Sequence, residues 1–373
     1  MVIEHLLKWI RTARVAERAA AASALARIFN ERDLSFEQRC AAEAALTLLM
    51  DDPSAKVRMA IAEALSMSRH APLQIVSALA SDQPDVAAMI IARSPLLTDS
   101  DLVERVADGS VATQKLIAGR PRVSLQVAAA LAELAEVEAC VVLARNSGAE
   151  IATISFRRMI ERHGDNAGLR GALLEHPALP SDCRHMLVIR VGEVLKQSTL
   201  LQRAIGATRA ERVTRDACVR ASLTLIDGTP TEEHAALVEH LRLSGELTAS
   251  FVIRTVAHGK IDFFGASLIA LTGQAEHRVR ALLANGQDLA VSALMRAAGL
   301  ADSIHRVILA ALKVWREVAS GKRIAGAQEV SWLMLREIGG QSAEGDMAAL
   351  LRSIHIDALR DNARGHALAI AAA

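Results

Sequence analysis

The chain has 373 residues, of which 51% are hydrophobic but only 2% aromatic, and it contains no tyrosine. This composition favours close-packed helices built from small and straight-chain residues, and it argues against a β-sandwich or barrel. It also argues against binding of single-stranded nucleic acid by stacking on aromatic side chains. The formal net charge is +1, from 43 basic and 42 acidic residues, and neither half of the chain has the composition of a polybasic or acidic module.

The N-terminal residues predict an amphipathic helix, since Ile3, Leu6 and Ile10 share one face. Glu4 and Lys8 interrupt the apolar run that a secretory signal needs. No later stretch contains 18 uncharged apolar residues in succession. We therefore expect a cytoplasmic protein without membrane insertion.

Similar phrases recur in the first half of the chain, at residues 52–62, 82–92 and 108–118, with a looser copy from Asn146. A short apolar helix precedes each phrase, and a proline-led turn follows several of them. The repeated unit is therefore predicted to be a helix, a tight Asp or Asn turn, and a second helix. One such pair cannot bury its apolar face alone, so neighbouring pairs must stack.

Charged residues recur with the repeats. Three aspartates occupy equivalent positions, and we expect them to cap the helices that follow: Asp52, Asp82 and Asp108. Three arginines lie near successive helix ends: Arg93, Arg120 and Arg145. They could form a ladder for phosphate or carboxylate groups, but interaction with the last carbonyls of each helix is the favoured interpretation.

In the second half of the chain, glycine replaces proline as the residue that marks the turns between helices, and no proline follows Pro230. Five glycines follow amphipathic runs at intervals of 13 or 14 residues: Gly245, Gly259, Gly273, Gly286 and Gly299. Each suits the left-handed position just past a helix end. This change in the turn residues predicts two domains: residues 1–195, with Asp and Pro turns, and residues 196–373, with short helices that end at glycines.

Helix starts are also marked. Ser35-Phe-Glu-Gln38 and Thr229-Pro-Thr-Glu232 both have the pattern of a capping box. The spacing of apolar residues from Ile304 to Val318 predicts one buried stripe that includes Trp315. No segment shows the alternation typical of a strand, so the predicted fold class is all-α.

The repeat phrases resemble a bacterial family of HEAT-like-repeat proteins classed as a domain of unknown function. The resemblance rests on short motifs: Val57-Arg58, Ser94-Pro95, Ala118-Gly-Arg120 and His176-Pro177, then Gly245-Glu-Leu-Thr248, Gly259-Lys-Ile-Asp-Phe-Phe264 and Ala298-Gly-Leu300. It implies an α-solenoid of short stacked helix pairs over most of the chain. Because these motifs specify packing, the resemblance implies no catalytic residues.

A search for chemistry is largely negative. The chain lacks a Gly-rich dinucleotide loop, a phosphate-binding loop, a nucleophile elbow, a zinc-protease motif and a C-x-x-C pair. The nearest approach to a ligand cluster is His176, Cys183 and His185, followed by His234 and His240, but zinc sites want tighter pairs. We expect no cofactor, no metal and four reduced, buried cysteines.

The best candidate for anion binding is a group of arginines near the predicted junction. Arg209, Arg212 and Arg220 fall within about 80° of one another on a helix with 100° per residue. Glu211 lies four residues before Arg215, and Asp216 lies four residues after Arg212, so these acidic side chains neutralise part of the positive charge. A solvated face is therefore the favoured alternative to an anion site.

Trp332 is the second candidate for interaction. Residues 330–338 place their apolar side chains on one broad face, and Trp332 points away from it, beside Arg336. Tryptophan is enriched among the anchors of protein interfaces. Packing against a neighbouring helix is the alternative, and it is the favoured one.

Together these patterns predict a non-catalytic interaction or scaffold module of bacterial regulation that binds a partner protein on a solenoid surface. The alternative is binding of duplex nucleic acid through a segregated basic face. An enzyme or small-molecule sensor is a third possibility, but no motif favours it.

Overall fold

The computed structural model describes residue 9 and residues 12–30, 34–338 and 345–372. In these ranges every regular element is a helix, and the one pairing of extended backbone is an isolated bridge between Val123 and Ala149. The predicted all-α, helical-repeat fold is confirmed. The N-terminal helix that Ile3, Leu6 and Ile10 predict lies outside the described residues.

The helices form two compact units, Met1–Leu179 and Pro180–Ala373. The helices of the first unit are α1 (Val15–Phe29), α2 (Phe36–Met50), α3 (Ala55–Leu65), α4 (Leu73–Ala80), α5 (Pro84–Arg93), α6 (Asp99–Asp108), α7 (Val111–Ala118), α8 (Leu125–Leu134), α9 (Val137–Arg145), α10 (Thr153–His163) and α11 (Ala167–Glu175). Those of the second unit are α12 (Ser181–Gln197), α13 (Thr199–Ile205), α14 (Ala207–Asp227), α15 (His234–Leu243), α16 (Ala249–Ala257), α17 (Ile261–Thr272), α18 (Glu276–Asn285), α19 (Asp288–Ala297), α20 (Asp302–Ala319), α21 (Ala327–Ile338) and α22 (Asp346–Ala372).

The first unit is a two-layer stack. Helices two apart in the chain lie side by side, so that α1, α3, α5, α7, α9 and α11 form one layer. Opposite it, α2 lies beside α4, and α6, α8 and α10 form a row. Each helix is short and buries one apolar face, as in α3, where Val57, Ile61 and Leu65 are fully buried. This is the arrangement that the recurring phrases predict, because no single pair has a core of its own.

Two of the three aspartates expected as caps form ion pairs between repeats. Arg18 Nε donates to Asp52 Oδ2 over 2.7 Å, and Arg58 Nε donates to Asp82 Oδ2 over 2.6 Å. The hydrogen bond from Arg58 holds the pKa of Asp82 below its ordinary value. Asp108 is the last residue of α6. The N-cap residues of the following helices are Ser54, Gln83 and Ser110, so none of the three aspartates is itself the cap. Asp52 Oδ1 and Asp82 Oδ1 do accept from the backbone N–H groups of Ser54 and Gln83, where those helices begin.

Arg120 departs from the other two arginines of the proposed ladder. Its side chain is buried, and its guanidinium donates to the carbonyls of Ile91 and Ser94, at the end of α5. Arg93 and Arg145 are exposed. The three therefore do not form a row of equivalent cations, and Arg120 binds the terminal carbonyls of a helix as the favoured interpretation holds.

The second unit begins with α12, which packs along α14 and contacts α15. The division of the chain into units therefore precedes this helix, whereas the boundary suggested at residue 195 falls near its end. The main core of the unit gathers around α20, whose buried stripe includes Ile304, Ile308 and Leu312 as the spacing predicts. Trp315 is partly buried against this core, and its indole N–H donates to Val256 O over 2.8 Å.

Two of the predicted signals for helix starts and ends differ in the structure. Gly245, Gly259, Gly273 and Gly299 have positive φ as expected, but Gly286 has φ −67°. Ser35 and Gln38 form the predicted capping box. The Thr229 pattern instead leads into a 3₁₀ turn, Thr231–Glu233, and the Thr229 hydroxyl donates back to Leu225 O over 2.8 Å.

The cysteines are free, as expected, but not all of them are buried. Cys140 and Cys183 lie in the core, Cys218 is half-buried and Cys40 is exposed. Burial raises the pKa of the Cys140 thiol to about 11. The exposed position of Cys40 corrects the expectation of four core cysteines.

Candidate interaction site

Trp332 lies on the exposed side of α21, where 46% of its surface is accessible. Its neighbours Val330, Ser331 and Met334 are buried, so the amphipathic pattern of the helix directs the indole away from the core. The Arg336 guanidinium carbon lies 4.9 Å from the centre of the indole ring. This cation–π contact places an aromatic and a cationic side chain together on one exposed turn of α21.

A cleft of about 680 Å³ opens beside Trp332, and we refer to it as the Trp332 cleft. It lies between α21, α22 and the turn that follows α16. Its lining residues are His258, Gly326, Ala327, Gln328, Glu329, Trp332, His355, Ala358, Asp361 and Asn362. Its volume is within the range of about 300–1,000 Å³ typical of sites for small molecules or for a few inserted side chains.

Polar side chains of α21 and α22 pair across the cleft. The Asn362 amide donates to Gln328 Oε1 over 2.6 Å. Deeper in, the Ser331 hydroxyl lies 3.0 Å from His355 Nδ1 and 3.0 Å from the carbonyl oxygen of Gln328. Ser331 has no exposed surface, so its hydroxyl fixes the His355 ring and is not available as a nucleophile.

A smaller cavity of about 260 Å³ adjoins the Trp332 cleft and shares His258 and Asp361 with it. We refer to it as the arginine pocket, and its charged lining residues are Arg220, Asp227, Arg254, Lys260, Asp357, Asp361 and Arg364. The structure thus places two of the residues singled out from the sequence, Arg220 and Trp332, at adjoining cavities.

The cations of the arginine pocket are paired. Asp357 accepts from Arg220 Nη1 over 3.2 Å and from Arg254 Nη1 over 3.4 Å, and its side chain is only 13% exposed. Lys260 pairs with Asp227. These ion pairs connect α14, α16, α17 and α22, so they stabilise the packing behind the cleft. The positive charge of these side chains is neutralised within the protein.

Two groups between the cavities have shifted pKa values. Burial lowers the pKa of His258 and outweighs the opposite effect of Asp361. Burial also lowers the pKa of Lys260. Burial thus favours the neutral form of His258, whose ring lines both cavities.

Arg209 and Arg212 do not join Arg220. Both are exposed on the N-terminal part of α14, and in the described residues neither lies within ion-pair distance of a carboxylate. Glu211 pairs with Lys196 over 3.2 Å and with Arg215 over 3.0 Å. Arg220 lies eleven residues after Arg209 and forms an ion pair with Asp357 of α22. The three arginines that share a helix face in sequence are therefore divided between solvent and an internal ion pair.

The histidines named as a distant ligand cluster come together in part. His240 Nε2 lies 3.2 Å from His185 Nδ1, and His185 Nε2 lies 3.0 Å from Ser222 Oγ and 3.2 Å from Glu246 Oε2. The His176 ring packs edge-on against Phe156 instead. In the part of the chain that the structure describes, no group of three His, Cys, Asp or Glu side chains has the geometry to hold a metal ion.

Most of the residues of the cleft that were not predicted from the sequence lie on two successive helices, α21 and α22. Gln328, His355 and Asn362 carry no motif, and only the packing of α21 on α22 brings them together. Asp357 did leave a signal, because it lies beside the buried Ile354 and Ala358 on α22. A carboxylate at the margin of an apolar stripe predicts a buried cationic partner.

Comparison with known proteins adds one result. Neither the curated proteins nor the solved structures contain a match to this chain. Among the described residues, no helix combines the length and apolar character needed to cross a bilayer. The model of a family described as uncharacterised proteins conserved in bacteria, DUF2336, matches residues 86–348, which include the repeats from α5 onward and all of α21. The chain therefore belongs to this bacterial family.

Proposed function

We propose that the chain is a non-catalytic interaction module that binds a partner protein through the Trp332 cleft. The observation that carries this proposal is the half-exposed Trp332, held by Arg336 at the mouth of a cleft. Tryptophan and arginine are the residue types most enriched at interface hot spots, particularly beside pockets from which water is excluded. An indole has few rotatable bonds, so it also loses little conformational entropy when it is covered.

The lining of the cleft indicates what kind of segment fits it. Glu329 and Asp361 line the cleft beside the amides of Gln328 and Asn362, and ion pairs with Arg323 and Arg364 neutralise these two carboxylates. The site is therefore nearly neutral, and net charge does not select its partner. We infer an extended segment that places an apolar side chain against Trp332, with backbone groups that the two amides can bind.

The experiment is capture of partners from the source bacterium with a photoreactive side chain in place of Gln328, followed by measurement of affinity. Trp332→Ala is expected to weaken binding about thirtyfold or more, the effect of losing a hot spot of about 2 kcal/mol. Leu200→Ala is the matched control, because Leu200 is a large apolar residue of the same unit that is 81% exposed and lies away from the cleft.

The paired variants decide the proposal. Cross-linking from position 328 that is lost in Trp332→Ala and retained in Leu200→Ala supports it. A partner that binds both variants equally, or one that responds only to reversal of charge at Arg209 and Arg212, contradicts the assignment to the cleft.

Binding of duplex nucleic acid is the second candidate, and one observation favours it. Arg203, Arg209, Arg212 and Arg215 are all exposed along α13 and α14. Glu211 pairs with Arg215, which reduces the field of this group. A mobility-shift series at two salt concentrations tests the idea. Phosphate contacts require affinity that falls steeply with salt and falls further in Arg209→Glu/Arg212→Glu.

A further inference from the structure

A second cavity in the unit that contains the Trp332 cleft has a different character. It has a volume of about 550 Å³ and lies between α17, α18 and α20, so we refer to it as the α17–α18–α20 pocket. Its apolar wall includes Gly265, Leu283, Leu312 and Trp315. None of these four residues lines the Trp332 cleft, so the two sites are made of different side chains.

The apolar wall is open because small residues occupy positions where a larger side chain would fill the space. Gly265 lies within α17, where glycine costs about 1 kcal/mol relative to alanine. A Cβ atom there would lie 3.3 Å from Leu283 Cδ1. Ala284 and Ala319 complete the edge of the pocket and are both exposed. The pocket is thus accessible to solvent and large enough for a small molecule.

Two arginines line the pocket, and they differ in the groups that bind their guanidinium. Arg280 Nε donates to Glu276 Oε1 over 2.8 Å, and its Nη1 lies 3.5 Å from Asp262 Oδ1. Arg316 donates from Nε to Leu283 O over 2.7 Å and from Nη2 to Leu282 O over 2.9 Å. These carbonyls belong to the last turn of α18, so they hold the guanidinium in place.

Arg316 has no carboxylate within ion-pair distance in the part of the chain that the structure describes. Its Nη1 group is not used by either carbonyl bond. A fixed guanidinium with an unused N–H group beside an apolar wall matches a ligand with one carboxylate on an apolar body. A phosphate dianion fits less well, because it would place a second negative charge near Asp262.

We propose that the α17–α18–α20 pocket binds a medium-chain aliphatic carboxylate, with the carboxylate on Arg316 and the chain against Leu312 and Trp315. This inference goes beyond the proposed function, because it assigns a small-molecule site that the binding of a partner protein does not require. Each methylene that becomes buried should strengthen binding about fourfold, from about 0.8 kcal/mol per CH₂.

The test is a titration of the full chain carrying Trp9→Phe and Trp332→Phe, which leaves Trp315 as the single indole reporter. The probes are hexanoate, octanoate and decanoate, with 1-octanol, octylamine and acetate for comparison. The proposal requires saturable binding of one octanoate, affinity that rises with chain length, and binding of 1-octanol and octylamine about tenfold weaker or more.

Variants localise the site. Ala284→Leu should occupy the pocket and weaken octanoate binding at least about tenfold, whereas Ala281→Leu, at an exposed alanine of the same helix outside the pocket, should leave it unchanged. Arg316→Gln should remove the preference for octanoate over octanol, and Arg316→Lys should retain part of it. Absence of saturable binding, equal affinity for octanol, or an unaffected Ala284→Leu variant would overturn the proposal.

Discussion

At Arg120, the first unit buries a charged side chain with only 8% of its surface exposed. Burial lowers its pKa, and the more distant Asp99 opposes that shift. The guanidinium is held by backbone carbonyls, among them Ser94 O at 2.6 Å from Nη2. Sequence position near a helix end suggested this role, but it could not show that Arg120 is buried while Arg93 and Arg145 are exposed.

Replacement of Arg120 should reveal this buried contact. Arg120→Met is expected to lower the free energy of unfolding by about 2–4 kcal/mol, because two carbonyls lose their donors. Arg122→Ala, at an exposed arginine two residues away, should change it by less than about 0.5 kcal/mol. Urea unfolding of the two variants measures the contrast, and equal losses would show that Arg120 is not a special position.

The His185 cluster gives stability a specific pH dependence. Burial, aided by neighbouring His240, lowers the pKa of His185 to about 4, below its ordinary value of about 6.5 in an unfolded chain. Between these values the unfolded chain binds more protons than the folded one. The free energy of unfolding should therefore fall by up to about 3 kcal/mol as the pH is lowered from 6.5 toward 4.

A His185→Gln variant isolates this contribution. Burial raises the pKa of Glu246, which gives an opposite slope, so the wild-type curve alone does not separate the two groups. Urea unfolding from pH 7 to pH 4.5 should show a shallower loss of stability in the variant. Parallel curves would mean that His185 titrates alike in both states.

At the scale of single helices, local patterns were sufficient. The stripe from Ile304 to Val318 and the capping box at Ser35 depend on residues within a few turns, and both occur as predicted. Contacts between helices are harder to predict from the sequence. Asp82 binds Arg58 as well as the Gln83 N–H at the start of α5, and a local pattern does not show a partner 24 residues away. The Trp332 cleft was missed for the same reason, as its walls meet only after α21 and α22 pack.

Gly192 of α12 packs directly against Cys218 of α14. A Cβ atom there would lie 2.4 Å from Cys218 Sγ. Gly192→Ala is expected to destabilise the protein by about 1–2 kcal/mol, even though alanine favours a helix. Combination with Cys218→Ala should recover most of this loss, and thermal unfolding of the four members of the cycle measures the coupling.

Gly171 on α11 provides the control for this prediction. No atom outside its own helix backbone lies within 4 Å of an added Cβ there, so Gly171→Ala should stabilise the protein by about 0.5–1 kcal/mol. Destabilisation at Gly171, or a Gly192 loss that Cys218→Ala does not relieve, would contradict the packing argument.

At the scale of the whole molecule, each unit has a core of its own. Leu46 belongs to a cluster in the first unit, and Ile308 belongs to one in the second. Both side chains are fully buried. The repeats indicate this organisation, because stacked helix pairs contact chiefly their neighbours. The division before α12 was not placed from the sequence, because Pro177 and Pro180, which precede that helix, resemble the proline turns between the earlier repeats.

Separate cores predict separate responses to mutation. Leu46→Ala and Ile308→Ala should each cost about 2–5 kcal/mol, and each should speed amide hydrogen exchange mainly within its own unit. Exchange followed by mass spectrometry resolves the two units. Equal acceleration in both units for either variant would contradict the assignment of independent cores.

In the proposed function, the Trp332 cleft is the surface that binds a partner protein. Hydrogen exchange of the full chain, measured with and without the partner captured at position 328, shows which helices the partner covers. We predict slower exchange in α21 and α22, absent from the Trp332→Ala variant and retained in Leu200→Ala. Protection confined to other helices, or protection that Trp332→Ala leaves intact, would contradict the claim.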